Sequence, residues 1–303
     1  MVSVKNLVYG AFALLGLIWG TNFIFMKWAT ALISPGQVVL LRILFGFVPL
    51  VLFALARRSL KWAHLRDLHH FVAMALLATA VYYFAFAKGT ALLPSSIAGM
   101  LSGAIPLFSF VTAFAFLRQE PINRRTLMGL ALGFGGVLLI ARPWSAGEAG
   151  INTQGVLYMI AGSLSVGSSF VYARLFLVNK NISPVALATY QTGLALLMVF
   201  LVTDLHGIER ILDDKVALTG LVFGLGLTGT GLAFILYYFI VQQLGAVRAA
   251  GVTYIPPVVA MLIGSLLAHE ALLPASVAAM SLISGGVYVL QTGKKQAQAA
   301  PRR

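Results

Sequence analysis

Ile105-Pro106, Glu120 and Gly135-Gly136-Val137 in the first half of the chain return as Ile255-Pro256, Glu270 and Gly285-Gly286-Val287, each 150 residues later. Leu132 and Leu282, like Phe84 and Phe234, keep the same offset without a gap. A repeat of this length in a chain this apolar is the sequence sign of a transporter assembled from two related halves. The number of membrane crossings in each half then decides whether the halves point the same way.

Hydrophobic residues make up 60% of the chain and charged residues 10%, far too few charges to cover a soluble domain of this length. Apolar runs of about 17 to 25 residues, enough to cross a ~30 Å hydrocarbon core as helix, recur throughout. Without water partners for the backbone in that core, helices are implied rather than open sheets, and the ~10-residue alternation of a membrane barrel is absent. Ten spans are expected, over 7–26, 34–56, 70–87, 90–117, 126–141, 153–173, 184–203, 217–240, 246–268 and 275–291. Ser34-Pro35, Arg142-Pro143-Trp144 and Ser183-Pro184 supply punctuation between them. The first span, preceded only by Lys5, reads as a retained helix rather than a signal peptide.

The charges are arranged by side. With the N-terminus in the cytoplasm, that face carries Lys5, Arg57, Arg58, Lys61, Arg66, Arg118, Arg124, Arg125, Arg174, Lys180, Lys294, Lys295, Arg302 and Arg303. The other face has Lys27, Lys88, Arg142, Arg210 and Lys215, a bias of 14 to 5 with Arg42 and Arg248 inside spans. This obeys the positive-inside rule and predicts both termini in the cytoplasm. The net charge of +13 is therefore an orientation signal, and no nucleic-acid partner is expected. Five spans per half is odd, so equivalent segments run in opposite directions. The expectation is an all-α integral membrane protein: ten helices as two inverted five-helix repeats around a central cavity. The repeats are placed at 1–148 and 149–291, with a basic cytoplasmic tail at 292–303.

Trp19-Gly20-Thr21-Asn22-Phe23 closes the first span, and the sixth carries a weaker echo, Val166-Gly167-Ser168-Ser169-Phe170. Together with the duplicated mid-span proline and the glutamate fourteen residues after it, this pattern resembles the EamA-type branch of the drug/metabolite transporter superfamily over essentially the whole chain. The resemblance implies a ten-helix carrier of amino acids, metabolites or drugs. Within the branch it is nearest to exporters of aromatic amino acids in bacterial inner membranes. Export or facilitated movement of aromatic and other apolar amino acids by alternating access is thus the expected activity, through a cavity lined by the first, third, fourth, sixth, eighth and ninth spans. Competing readings are a carrier for a drug, nucleoside or other small amphiphile, a membrane-embedded enzyme acting on lipid, and a channel.

Candidate substrate contacts follow from residue type and depth. Pro106 and Pro256 are expected to kink the fourth and ninth spans, freeing the carbonyls of Ser102 and Val252; a freed carbonyl either accepts from a substrate ammonium or is satisfied locally. Arg42, well inside the second span, is a functional candidate because it is charged there, and its planar fork suits a carboxylate. Its competing role is to bond neighbouring carbonyls or reach outward. Arg248 is close enough to the cytoplasmic surface to escape to it. Tyr82, Tyr83, Phe84 and Phe86 in the third span and Tyr237, Tyr238 and Phe239 in the eighth suggest aromatic walls, although tyrosines near span ends also serve as interface anchors. Asn22, Gln191 and Tyr254 lie deeper; Tyr190-Gln191 aligns with Leu41-Arg42 at an offset of 149.

No Asp or Glu lies inside a predicted span apart from Glu120 and Glu270 at span ends, so carboxylate-driven proton antiport is disfavoured. Those two are expected to close helix ends or pair with loop arginines. Asp213-Asp214 and the loop residues His64, His69 and His70 lack the partners of a hydrolytic metal centre, and no phosphate-binding loop or Gly-x-Ser-x-Gly elbow occurs. No catalytic residue, cofactor or metal is therefore expected. Pairs such as Gly16/Gly20, Gly99/Gly103, Gly129/Gly133 and Gly220/Gly224 favour close packing within one chain, hence a monomer, over a dimer face.

Overall fold

The computed structural model describes residues 4–117, 123–141, 151–244 and 249–299. Glu120, Arg118, Arg142 and Arg248 lie outside these residues. Within them the chain is all-helical. Nine helical stretches are long and apolar enough to cross a membrane, and a tenth, Gly251–Leu267, is shorter.

The first two spans are single helices, α1 (Val4–Thr30) and α2 (Pro35–Ala56). The third is assembled from α3 (Leu68–Ala75), a π-helical turn (Leu76–Ala80) and α4 (Val81–Leu92). The fourth is divided into α5 (Ser95–Ser102) and α6 (Ile105–Phe116). Then follow α7 (Arg124–Ala141), α8 (Thr153–Phe176) and α9 (Pro184–Val202). The eighth span joins α10 (Lys215–Thr219) to α11 (Ala233–Leu244) through thirteen π-helical residues, Gly220–Leu232. The ninth is a short 3-10 turn (Ala250–Tyr254) leading into α12 (Ile255–Leu267), and α13 (Pro274–Ala299) is the tenth.

Local chemistry explains the starts. Ser34 and Gln37 form a reciprocal capping box, with Ser34 accepting from the Gln37 N–H and the Gln37 side chain accepting from the Ser34 N–H. Ser183 caps α9 in the same way that Asn152 caps α8, each accepting from the N–H three residues on. Pro35 and Pro184 occupy first-turn positions, where a missing N–H costs nothing. Pro106 and Pro256 do likewise. The sequence places each in mid-helix, whereas the structure puts each in the first turn of a new helix, after the Gly103-Ala104 break and after the 250–254 turn. Both α-helices are interrupted just before the proline, which cannot donate to the preceding turn.

The helices pair as two exchangeable halves. The first span packs on the ninth as the sixth packs on the fourth, the second on the eighth as the seventh on the third, and the third on the sixth as the eighth on the first. The fourth meets the ninth, the fifth the tenth, and the second the seventh. Among the described residues, each of these contacts between halves has its counterpart with the halves exchanged, as a pseudo-two-fold axis requires. The fifth and tenth spans approach to backbone contact along Gly129, Gly136 and Gly286, where any Cβ would overlap the opposite main chain. One apolar cluster runs through most of the bundle; a second, around Leu15, Ala233, Ile240 and Val252, joins the first, eighth and ninth spans.

Candidate functional site

Arg42 is 5% exposed, seven residues into α2. Its Nε donates to the Thr230 hydroxyl at 3.1 Å, and Nη1 lies 3.8 Å from the Met26 sulfur. The guanidinium carbon sits 3.9 Å over the centre of the Tyr83 ring, a cation–π geometry. With its amide oxygen turned toward Arg42, Asn22 accepts from Nη2 at 3.2 Å while its NH2 donates to the Ile18 carbonyl at 3.2 Å. All of these partners are neutral. The six described acidic residues, Asp67, Asp204, Glu209, Asp213, Asp214 and Glu270, stand in loops or at span ends.

Each partner is set by its own helix. Asn22 and Met26, four residues apart, share one face of α1. Thr230 lies in the π-helical stretch, where its hydroxyl donates to the Leu225 carbonyl five residues back at 2.9 Å, leaving its lone pairs for Arg42. It comes close because the second span offers a glycine: a Cβ on Gly46 would overlap the Thr230 side chain, and one on Gly229 would overlap the Asn22 amide. Aromatic rings extend from Tyr83. Tyr82 lies 5.1 Å from it, Phe86 4.6 Å from Tyr82, and Phe23 6.0 Å from Phe86, between ring centres. Four spans therefore meet at Arg42: the first, second, third and eighth. A groove of about 670 Å³ runs along the flank of two of them, lined by Thr21, Phe25, Trp28, Lys215, Phe223 and Thr228 among others.

Of the residues singled out from sequence, Asn22, Arg42, Tyr82 and Tyr83 come together. Ser102 does not join them: it is buried at the end of α5, and its hydroxyl donates to the Gly99 carbonyl at 2.6 Å. Gln191 is buried in α9, and Tyr254 is half-buried at the end of the 250–254 turn against the main apolar cluster. Thr230 and Met26 were not singled out. A hydroxyl inside the run Gly229-Thr230-Gly231, and a methionine one turn beyond Asn22, were the available signals.

A second polar cluster ties the ends of the third, sixth and seventh spans. Lys180 pairs with Asp67, and the Tyr172 hydroxyl lies 2.8 Å from His70 Nδ1. The Tyr190 hydroxyl accepts from the Lys61 N–H at 3.1 Å. No group of three or more His, Cys, Asp or Glu that would hold a metal occurs among the described residues.

Two stretches of the chain, residues 7–142 and 153–292, each match the model of the EamA-like transporter family. The chain belongs to that family and is a multi-pass membrane protein. Similar proteins include an uncharacterised transporter of Archaeoglobus fulgidus, 24% identical with 92% of this chain and 96% of the relative covered. The uncharacterised inner membrane transporter YedA of Escherichia coli K12 is 26% identical, over 97% of this chain and 94% of its own. YoaV of Bacillus subtilis, also an uncharacterised transporter, is 26% identical, over 90% and 92%. A solved crystal structure shares the fold at a TM-score of 0.60 and 22% identity, covering 94% of this chain and 96% of the other.

Proposed function

We propose that this transporter carries small solutes bearing a carboxylate, and that its substrates are amino acids with aromatic or other apolar side chains, moved outward across a bacterial inner membrane. One observation carries the reading. Arg42 is a buried cation whose partners are all neutral. An uncompensated charge in a membrane interior is costly, and a solute carboxylate supplies the missing countercharge in the bidentate geometry a guanidinium prefers. The rings of Tyr82, Tyr83, Phe86 and Phe23 beside it suit an apolar side chain. The sequence resemblance to aromatic amino acid exporters, YddG in particular, favours the same solutes. Such a solute would be bound by alternating access and not turned over, which makes the chain a carrier and not an enzyme; it would work as a monomer in the bilayer, with both termini cytoplasmic.

The test is uptake of labelled phenylalanine by liposomes containing the purified protein, with unlabelled tryptophan, threonine, uridine and phenethylamine as competitors. Saturable uptake inhibited by the amino acids but not by phenethylamine, which lacks the carboxylate, is the expected result. Arg42→Met is expected to lower apparent affinity by roughly two orders of magnitude, the range for deleting one partner of a buried charge pair. Phenethylamine competing as well as phenylalanine, or full activity in Arg42→Met, would remove the carboxylate requirement.

A further inference from the structure

Four helical pieces surround the breaks in the fourth and ninth spans. α5 and α12 lie against each other, whereas α6 rests on α8 and the 250–254 turn rests on α1 and α12. The α5–α12 seam is closed to main-chain contact. A Cβ at Gly99 would overlap the Ala260 methyl, and one at Gly264 would overlap Ser96.

Charged side chains reach this closed end from both halves. Glu270, in the connection between α12 and α13, accepts from the Ser95 N–H at 2.6 Å and the Ser95 hydroxyl at 2.9 Å with Oε1, and from the Ser96 N–H at 2.8 Å with Oε2. Those N–H groups belong to the first turn of α5, where no intrahelical acceptor exists. Lys27, from α1, donates to the carbonyls of Thr90, Ala91 and Leu93 at 3.3, 3.1 and 2.8 Å, the last turn of α4. The two helix ends meeting at Leu93-Pro94 are each capped by a charge of the sign their dipole favours.

We propose that the end of the molecule bearing Glu270 is a closed gate, and that the Glu270 carboxylate is the latch that holds it shut by fastening the second half of the chain to the start of α5. A carrier of exchangeable halves opens one end as the other closes, so this end opens by parting α5 from α12. The seam between them is small-residue van der Waals contact, which holds through fit alone. The directed, charge-assisted bonds across it are those of Glu270, and they form only while the gate is shut. Neutralising that carboxylate therefore shifts the population toward the state open at this end. The inference needs only that the chain is a carrier and is independent of what it carries.

The chain contains no cysteine, so single reporters can be placed without background. Ser96→Cys puts a thiol in the seam, at a position 1% exposed, and keeps the N–H that Glu270 accepts from. Ser163→Cys, at a wholly buried position in α8, reports general unfolding. Right-side-out and inside-out membrane vesicles are treated with a membrane-impermeant sulfonated maleimide; Leu273→Cys, exposed beside Glu270, marks the accessible side. From that side, the position-96 reporter should label slowly with Glu270 present and about tenfold faster with Glu270→Gln, a shift of ~1.4 kcal/mol in the gate equilibrium, while the position-163 reporter stays unlabelled. Fast labelling at 96 with Glu270 intact overturns the closed gate. An unchanged rate in Glu270→Gln overturns the latch, and so does a rise at both reporters, which would make the carboxylate a determinant of folding rather than of gating.

Discussion

Arg42 owes its position to groups far away in sequence. Its Nε partner, Thr230, is 188 residues distant and is brought within 3.1 Å by the absence of a side chain at Gly46. Replacing Thr230 by valine keeps the shape and removes the acceptor. Apparent substrate affinity should then fall several-fold, as expected for one hydrogen bond to a charged group, with a much smaller change in melting temperature. Equal losses in both measurements would assign Thr230 to the fold alone. Gly229→Ala sets a methyl against both the Asn22 amide beside Arg42 and the Gly224 carbonyl; it should reduce transport and also lower the melting temperature, as checked by uptake alongside thermal unfolding. Asn22, Arg42, Tyr82 and Tyr83 were legible as candidates because polar, charged or hydroxylated groups inside spans stand out against an apolar background. Thr230 and Met26 were not, since a threonine among glycines and a methionine among apolar residues read as ordinary packing.

Helices and their ends were read more fully than their interiors. Ser34-Pro35 and Ser183-Pro184 start spans as expected, because capping is decided within four residues. The π-helical stretches at 76–80 and 220–232 left no mark in the hydropathy pattern, which counts apolar residues but not backbone pitch. Glu270 closes a helix end, one of the two roles foreseen for it, and the helix is α5 from the other half. Burial pushes its carboxyl up, but the hydrogen bonds from Ser96 and Ser95 outweigh this and hold it below the usual carboxylate value. A depressed pKa means that its contribution is complete above the unfolded value of about 4.3 and is lost as pH falls through the folded value. The difference in melting temperature between the native protein and Glu270→Gln should therefore be constant from neutral pH down to about pH 5 and shrink only in stronger acid. A difference that changes between pH 7 and 6 would contradict this sign. At the fifth and tenth spans, Gly286→Ala places a methyl against the main chain of Gly133 and Gly129. It should destabilise by about 1–3 kcal/mol, as overpacking does, read as a lower melting temperature in detergent.

Taken as a whole, the molecule has a direction as well as a shape. The bias of 14 basic residues to 5 across its two faces predicts a cytoplasmic C-terminus; a fluorescent protein fused there should fluoresce in bacterial cells, and one that stays dark would reverse the topology. The number of spans, the division into halves and the membrane setting could all be read along the chain, because hydrophobic length, helix punctuation and a 150-residue offset are properties of neighbouring residues or of a fixed repeat. Which span contacts which, that the second span joins the first, third and eighth at Arg42, and that α5 is sealed on α12, were decided only by tertiary structure. The physical reason is that partitioning into a bilayer acts on each segment separately. The partner of a buried cation and the closure of a seam depend instead on close packing between segments that the sequence holds a hundred or more residues apart.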